Sequence, residues 1–255
     1  MNDWFKYFWT SPVDAPPELG FGLFTTSHLV MLTVLAVIIA TIVWIYTKAN
    51  TDRRHLIRLA IGIFVLFLEL VLRQGAFIVL GIYTPAILPL HACAIATFCV
   101  AIDAFKPNSW CREFIYAVGT WGPLCALLFP DWANQPIINI FTWQSFVVHA
   151  FLFAYALMLL VSKEFRPSAR NLWMVLIIMA VFVGASLIVN NAMGTNFWFL
   201  ATAAPGSPLE PIQKIAGGFY IPLLSIILSV LWAVMYLPWH LPRRGVETHP
   251  SIDVQ

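Results

Sequence analysis

The sequence predicts an all-α, polytopic membrane protein: a bundle of seven transmembrane helices with its N-terminus outside the cell and its C-terminus in the cytoplasm. Of the 255 residues, 60% are hydrophobic and 10% are charged, whereas a soluble domain carries about 25% charged residues. Seven apolar stretches are each long enough to cross a hydrocarbon core of about 30 Å, which takes roughly 20 helical residues. Basic residues occupy alternate linkers, and this pattern predicts the orientation.

The predicted spans follow one another with short polar linkers. They cover residues 24–47, 56–82, 86–105, 112–129, 137–161, 171–193 and 214–237. We interpret residues 1–240 as one transmembrane domain and residues 241–255 as a polar cytoplasmic tail. The first 23 residues lack a basic region that leads into a short apolar core and a cleavage site, so the first span is expected to remain in the mature protein.

Basic residues mark the linkers that are expected to be cytoplasmic, because an excess of Lys and Arg is typical of that side. They stand beside or between spans one and two, three and four, and five and six, and after span seven: Lys48, Arg53, Arg54, Arg58, Lys106, Arg112, Lys163, Arg166, Arg170, Arg243 and Arg244. The net charge of +2 and the dispersal of these residues indicate no nucleic-acid partner.

Two opposite charges stand inside span two, at Glu69 and Arg73. Residues four apart lie on one face of a helix, and a charge at membrane depth is costly without a partner. One interpretation is therefore a structural ion pair that braces the bundle. The other is a substrate-binding role, in which Arg73 holds a phosphate or carboxylate group.

Polar side chains from several spans share the predicted outer half of the membrane. They are His28, Arg73, His91, Cys93, His149, Asn190 and Asn191, with Asn196 in the GTNFWFL segment that follows span six. The cytoplasmic half offers little beyond Asp103 and its linkers. This distribution predicts a site that faces the outer leaflet, where ionisable groups usually have a functional role.

The histidines allow more than one interpretation. His28, near the outer end of span one, suits either a bond to neighbouring backbone or a place in the site. His149, deep in the VVHAFLF stretch, must find a polar partner because buried polar groups are hydrogen-bonded.

The LPLHAC segment at 88–93 places a histidine and a cysteine at the mouth of span three. Pro89 is expected to begin the helix, which would leave Cys93 where the helix dipole favours a thiolate. Two residues apart on a helix is a rotation of roughly 200°, so His91 and Cys93 would not face each other. A base for Cys93 would then come from another span. His149 is the best placed by depth, with His91 or His28 as an orienting or oxyanion-side group.

The remaining cysteines, Cys99, Cys111 and Cys125, are assigned to packing, because cysteine is commonly buried as a small hydrophobe. No CxxC pair occurs, so a disulfide framework is not indicated.

The LPLHAC segment, a histidine midway along span five, NNAMGTNFWFL and the last span, FYIPLLSIILSVLWAVMYLPW, together resemble the YwaF-like bacterial membrane proteins. These are related to the transmembrane-protein-164 family of acyltransferases. The resemblance implies an acyltransferase or transacylase acting on membrane phospholipids or other acyl lipids, in the inner membrane of a bacterium. It also implies Cys93 as the nucleophile that carries the acyl group and His149 as a candidate base. The amides of Asn190, Asn191 and Asn196 are candidate donors to the oxyanion.

Other functions fit parts of the pattern. A seven-helix bundle also suits a receptor or a transporter for a small ligand or lipid. A metal-dependent hydrolase is a third candidate, because His28, His91, Cys93 and His149 could supply zinc ligands, although the sequence has no HxxxH pair. The acyltransferase interpretation requires no diffusible cofactor and no metal. Oligomeric state and the identity of the acyl acceptor are not predicted.

Overall fold

Helices form nearly all of the regular structure in the computed structural model, which describes residues 6–11 and 14–240. The helices of eight residues or more in these ranges are α1 (Thr26–Lys48), α2 (Thr51–Val79), α3 (Ala92–Phe105), α4 (Ser109–Ala117), α5 (Trp121–Leu128), α6 (Ile140–Val161), α7 (Leu172–Met193), α8 (Leu209–Ala216) and α9 (Tyr220–His240). Within the same ranges, the only strand-like pairing is an isolated bridge between Gly20 and Pro136. The all-α prediction is confirmed. The predicted tail at 241–255 lies outside the described residues.

Five helical runs in the described residues are long and apolar enough to cross a membrane. They are Thr26–Lys48, Thr51–Val79, Ile140–Val161, Ala169–Met193 and Leu209–His240. The third and fourth predicted spans are helical but shorter. The structure therefore supports a multi-pass membrane protein with five candidate spans, and two further apolar segments that do not cross as single long helices.

Predicted span three begins later than expected. Pro89 does not open the helix, because α3 begins at Ala92 and His91 is its N-cap, with extended backbone angles. The Leu90 carbonyl oxygen accepts a hydrogen bond from the Trp198 indole Nε1 at 2.7 Å, so this carbonyl is held toward another segment. The 14 residues of α3 span only about 21 Å at 1.5 Å per residue. Non-helical backbone at this depth is tolerated where protein surrounds it or where it lines a cavity.

Predicted span four is broken into α4 and α5. Pro123 lacks the N–H of the helical ladder, and its ring opposes a continuous helix across Gly119. The carbonyl of Ala117, at the end of α4, is instead covered by two indole donors, Trp121 Nε1 at 2.6 Å and Trp232 Nε1 at 2.9 Å. These bonds satisfy a polar group that a break would otherwise leave exposed to hydrocarbon.

Predicted span seven, 214–237, is divided by Gly217. This residue has φ +52°, which favours glycine, and it separates α8 from α9. Lys214 lies in α8, where its ammonium contacts Glu210 at 3.1 Å.

The second half of α2 departs from α-helical geometry. Residues Phe67–Gly75 form a π-helical segment, in which N–H groups bond to carbonyls five residues back. Glu69 therefore meets both the residue four positions later, Arg73, and the residue five positions later, Gln74. Long π segments are rare and occur often at functional sites.

The most buried long helix is α6, which packs against α1, α2, α3 and α5. The helices α2 and α3 approach each other closely at Gly62, where an added Cβ would lie 2.6 Å from the Ala104 Cβ. In contrast, α7 and α9 bury little of their apolar surface. Ile188 and Val234 are 72% and 63% exposed, as expected for side chains that face lipid.

One end of the bundle, here called the basic end, gathers Arg54 and Arg58 from the start of α2, Arg112 from α4 and Glu164 from the linker after α6. Glu164 accepts hydrogen bonds from Arg58 at 2.7 Å and from Arg54 at 3.2 Å, and its backbone carbonyl accepts one from Arg112 at 3.1 Å. The basic linkers therefore lie together, as their predicted cytoplasmic location requires.

The basic end is richer in polar contacts than the sequence indicated. Asp103 is fully buried and accepts hydrogen bonds from Arg112 Nε at 2.7 Å and from the Tyr155 hydroxyl at 2.9 Å. Glu113, also fully buried, accepts hydrogen bonds from Asn171 and Tyr236 at 2.9 Å each. The sequence pointed to Asp103 and the linkers of this half, and several of these partners do come from linkers and helix ends, but Glu113 was not singled out.

Candidate functional site

The opposite end, here called the histidine end, is formed by the linkers 80–91, 129–139 and 194–208. The first linker is tied to α2 by Gln74, whose Nε2 donates to the Ile87 carbonyl at 2.7 Å and to Glu69 Oε1 at 3.0 Å. The Tyr83 hydroxyl donates to Gln74 Oε1 at 3.1 Å. These bonds hold the non-helical chain that leads into α3, where His91 is the N-cap and Cys93 lies in the first turn.

His91 is partly buried, and the third linker holds its ring. The Trp198 backbone N–H donates to His91 Nδ1 at 3.3 Å, and the rings of Phe197 and Phe199 lie 5.0 and 5.5 Å away. Because Nδ1 accepts this bond, the proton of the neutral ring is on Nε2. His91 therefore presents an N–H donor from its other nitrogen.

The GTNFWFL segment, which contacts the His91 ring, has a strained backbone conformation. Trp198 and Phe199 have φ of +61° and +54°, which L-residues adopt rarely and at a cost of about 1–3 kcal/mol each. The Asn190 side chain compensates, since its Oδ1 accepts from the Phe197 N–H at 2.8 Å and its Nδ2 donates to the Phe197 carbonyl at 3.1 Å. Strain of this kind persists only where surrounding contacts determine the conformation, and it is concentrated at functional sites.

Of the three predicted amide donors, two are engaged in this linker. Asn190 has the bonds to Phe197, and Asn196 binds Thr202 and the Ala201 N–H. Asn191 is exposed, and its side chain makes no hydrogen bond within residues 6–11 and 14–240. The structure thus gives Asn190 and Asn196 a role in shaping the linker, and their role as substrate donors stays a prediction.

His149 lies on α6, and its polar partner is its own helix. Nδ1 donates to the Ser145 carbonyl oxygen at 2.6 Å, since a carbonyl can only accept. The proton of the neutral ring is therefore on Nδ1, and Nε2 keeps a free lone pair. Trp132 stacks on the ring with centroids 5.2 Å apart. The result is an oriented imidazole whose free nitrogen can accept a proton.

Cys93 lies in the first turn of α3 and is partly buried, with a free thiol. Its backbone carbonyl accepts from the Thr97 hydroxyl at 3.0 Å. Within residues 6–11 and 14–240, its Sγ is hydrogen-bonded to neither His91 nor His149. Hydrogen bonds of catalytic groups are often long in the absence of substrate, so their absence does not argue against a nucleophile and base.

The predicted pairing of Glu69 and Arg73 is confirmed. Arg73 Nη1 lies 3.7 Å from Glu69 Oε2, and the side chains are 29% and 2% exposed. Glu69 is thus almost fully enclosed, with contacts to Arg73 and Gln74, while the guanidinium of Arg73 keeps an accessible side.

The charge of Arg73 reaches candidate residues from two other helices, α3 and α6, and from two linkers. It interacts electrostatically with His91, Cys93, His149 and Asp131, and His91 interacts with His149. The predicted catalytic residues therefore lie within range of the charge of one cation. Such a cation can stabilise a developing oxyanion, while the carboxylates of Asp131 and Glu69 oppose a negative charge on Cys93.

His28 is separate from this cluster. It is fully buried, its Nδ1 accepts from the Phe24 N–H at 3.0 Å, and its Nε2 donates to the Leu127 carbonyl at 2.9 Å. Both ring nitrogens are bonded to backbone, so His28 joins the start of α1 to the end of α5. This is the first of the two interpretations that the sequence allowed.

Several residues of the site were missed. Gln74, Asp131, Trp132 and Trp198 position or border the candidate groups, yet none was singled out. Gln74 carried a usable signal, because an amide inside an apolar span needs partners. The position of Trp198 depends on a backbone conformation that has no clear sequence signature.

A metal centre finds no support in the described part of the chain. Within residues 6–11 and 14–240, no three His, Cys, Asp or Glu side chains lie close enough together to hold a metal ion. Of the four ligands suggested by the sequence, His28 is the one whose ring nitrogens are both committed to backbone.

Comparison with known proteins gives one match. The sequence model of the TMEM164 family matches residues 23–236, which include α1 to α8, most of α9 and every candidate residue of the histidine end. No curated protein and no solved structure matches the chain.

Proposed function

Because the chain belongs to the TMEM164 family, we propose that it is an integral-membrane acyltransferase that transfers an acyl chain from a membrane phospholipid through a thioester on Cys93. We also propose that it crosses the inner membrane of a bacterium seven times, with the histidine end at the outer leaflet. The placement of His91 and Cys93 at the start of α3 and of an oriented His149 on α6, within range of the charge of Arg73, supports this proposal.

The first half-reaction forms the thioester. His149 Nε2 takes the thiol proton, and the Cys93 sulfur attacks the carbonyl carbon of the lipid ester. The C–O bond of the ester then breaks, and the lysolipid oxygen leaves with the proton held by His149. A covalent intermediate of this kind divides a difficult transfer into two easier steps.

The second half-reaction consumes the thioester. His149 Nε2 takes a proton from an acceptor hydroxyl, whose oxygen attacks the thioester carbonyl. The C–S bond breaks, and the Cys93 sulfur recovers the proton. Water in place of the acceptor would give hydrolysis by the same route.

Two groups would stabilise negative charge along this path. The Nε2–H of His91 is a donor at the entrance to α3, and Arg73 supplies a fixed cation. One donor to an oxyanion contributes about 3–4 kcal/mol to the transition state. The accessible side of Arg73 also suits a lipid phosphate, as Arg forms strong bonds to that group.

The test is acyl transfer by the purified protein in vesicles that contain a phospholipid donor. Cys93→Ser and His149→Ala should each lower the rate by orders of magnitude, and the double variant should be little worse than either, because residues that act as a unit are not additive. Cys99→Ala is the matched control, since this buried thiol packs in the core. A Cys93→Ser variant that transfers acyl chains at the wild-type rate would contradict the nucleophile assignment.

A further inference from the structure

An apolar groove of about 660 Å³ runs along the side of the bundle, between α1 and α6, with α5 at one end. The lining residues are Leu32, Leu35, Ala36, Ile39, Ala40, Val43, Trp44, Thr47, Leu124, Leu127, Leu128, Phe153, Leu157 and Val161. Thr47 is the one polar residue among them, and it lies at the basic end. Its two long walls, α1 and α6, are helices long and apolar enough to cross a membrane, so hydrocarbon rather than water is expected to enter the groove.

The groove leads away from the candidate site. On α6 the groove is lined by Phe153, Leu157 and Val161, which follow His149 at intervals of four residues. Residues four apart lie above one another on one side of a helix. The imidazole of His149, the proposed base, therefore lies on the α6 face that forms one wall of the groove, at the end nearer the candidate site.

The dimensions fit a single hydrocarbon chain. Leu32 and Thr47 are 15 residues apart on α1, or about 22 Å, so 660 Å³ corresponds to a mean cross-section of about 30 Å². A helix with its side chains is at least about 10 Å wide, which is a cross-section of roughly 80 Å², so a helix is too wide for the groove. Carbon atoms pack about 3.5–4.0 Å apart, so an extended acyl chain fits a much narrower channel.

We propose that this groove holds one acyl chain of the lipid substrate, with the ester at the end near His149 and the chain terminus toward Thr47. This inference rests on the proposed function for the identity of the lipid. Apolar burial gives little net affinity inside a bilayer, because lipid tails are already apolar. The groove would therefore select chain length and shape, while the polar cluster holds the head of the lipid.

The test uses the full-length protein in nanodiscs that contain phosphatidylcholine with a diazirine in the middle of one acyl chain. Irradiation followed by peptide mass spectrometry should place crosslinks mainly in residues 32–47, 124–128 and 153–161. Ala40→Trp, which fills the groove, should lower these crosslinks several-fold. Val37→Trp is the control, because Val37 is on the same helix, 63% exposed and outside the groove lining. Ala36→Phe provides a second blocking variant if Ala40→Trp does not fold.

Three outcomes would overturn the inference: crosslinks spread evenly over the exposed faces of α1, α7 and α9, crosslinks unaffected by either blocking variant, or crosslinks in the groove that join two copies of the chain. The experiment needs no catalysis, so a Cys93→Ala protein should give the same groove crosslinks. A wild-type protein that gives the groove crosslinks but transfers no acyl chain would therefore contradict the proposed reaction alone, and a wild-type protein that transfers acyl chains without groove crosslinks would contradict the groove alone.

Discussion

His91 and His149 carry their protons on different ring nitrogens. His149 donates from Nδ1 to a carbonyl of its own helix, whereas His91 accepts at Nδ1 from the Trp198 N–H. One ring thus offers a free lone pair and the other an N–H donor. The sequence predicted that His149 must find a partner, but the protonated nitrogen of His91 depends on a residue more than 100 positions away and could not be predicted.

Breaking the ion pair at Glu69 and Arg73 should destabilise the protein and also stop acyl transfer. A fully buried pair costs about 3–5 kcal/mol to break. Arg73 is 29% exposed, so the expected loss for Arg73→Met is lower, about 1–3 kcal/mol. Chemical unfolding in detergent micelles measures the loss, and the vesicle assay measures the rate.

The double variant Glu69→Met, Arg73→Met separates the two roles. It removes the unpaired buried carboxylate and should recover part of the lost stability, but it should stay inactive because the cation is absent. A double variant that still transfers acyl chains would contradict the catalytic role of Arg73 and would show that the ion pair has only a structural role.

Helix boundaries near the site departed from the sequence pattern for identifiable reasons. The apolar stretches of the sequence each contain a helix, and five of them lie in helical runs long enough to cross a membrane. The sequence pattern could not locate the start of α3, which depends on the bond from Trp198 to Leu90. The π-helical segment of α2 was also not predictable, because opposite charges four residues apart, such as Glu69 and Arg73, are equally typical of an ordinary α-helix. Pro123 and Gly119 both signal a break between α4 and α5. The prediction missed this break because it relied on the overall hydropathy of the stretch 112–129, which a single proline and glycine hardly change.

The linker that carries Trp198 should lose its shape when Asn190 is replaced by Leu, which has a similar size but no amide. The Phe197 N–H and carbonyl would lose their partners, at a cost of about 1–3 kcal/mol. Hydrogen exchange of residues 194–202 should rise, and acyl transfer should fall because His91 loses the Trp198 N–H.

Asn191→Leu provides the adjacent control. Asn191 is exposed, so its replacement should change the stability by no more than about 0.5 kcal/mol. Equal loss of linker order in both variants would contradict the role given to Asn190. Loss of activity in Asn191→Leu without loss of order would instead support the predicted contact of Asn191 with substrate.

The whole bundle has two polar ends with different characters. The basic end is closed by buried carboxylates that each have several donors, such as Asp103 and Glu113. The histidine end has strained backbone, partly buried imidazoles and a thiol. Loop charge in the sequence predicted the grouping of the basic linkers. The density of contacts there could not be predicted, because each carboxylate draws its partners from segments far apart in the chain.

The orientation of the bundle can be tested with single cysteines. In a background where Cys93, Cys99, Cys111 and Cys125 are all replaced by Ala, Asn134→Cys at the histidine end should react with a membrane-impermeant maleimide added to intact cells. Lys106→Cys at the basic end should react only after the cells are opened. Both native residues are exposed, so accessibility of the side chain is matched. The opposite labelling pattern would contradict the predicted topology.

The most direct test of the account is the detection of the acyl group on Cys93. The purified protein is incubated with a phospholipid donor in the absence of an acceptor, and its intact mass is measured. We predict a mass increase of one acyl chain that neutral hydroxylamine removes, that peptide analysis places on Cys93, and that persists in Cys99→Ala. A wild-type protein that transfers acyl chains without this adduct, or a Cys93→Ala protein that acquires it, would contradict the thioester mechanism.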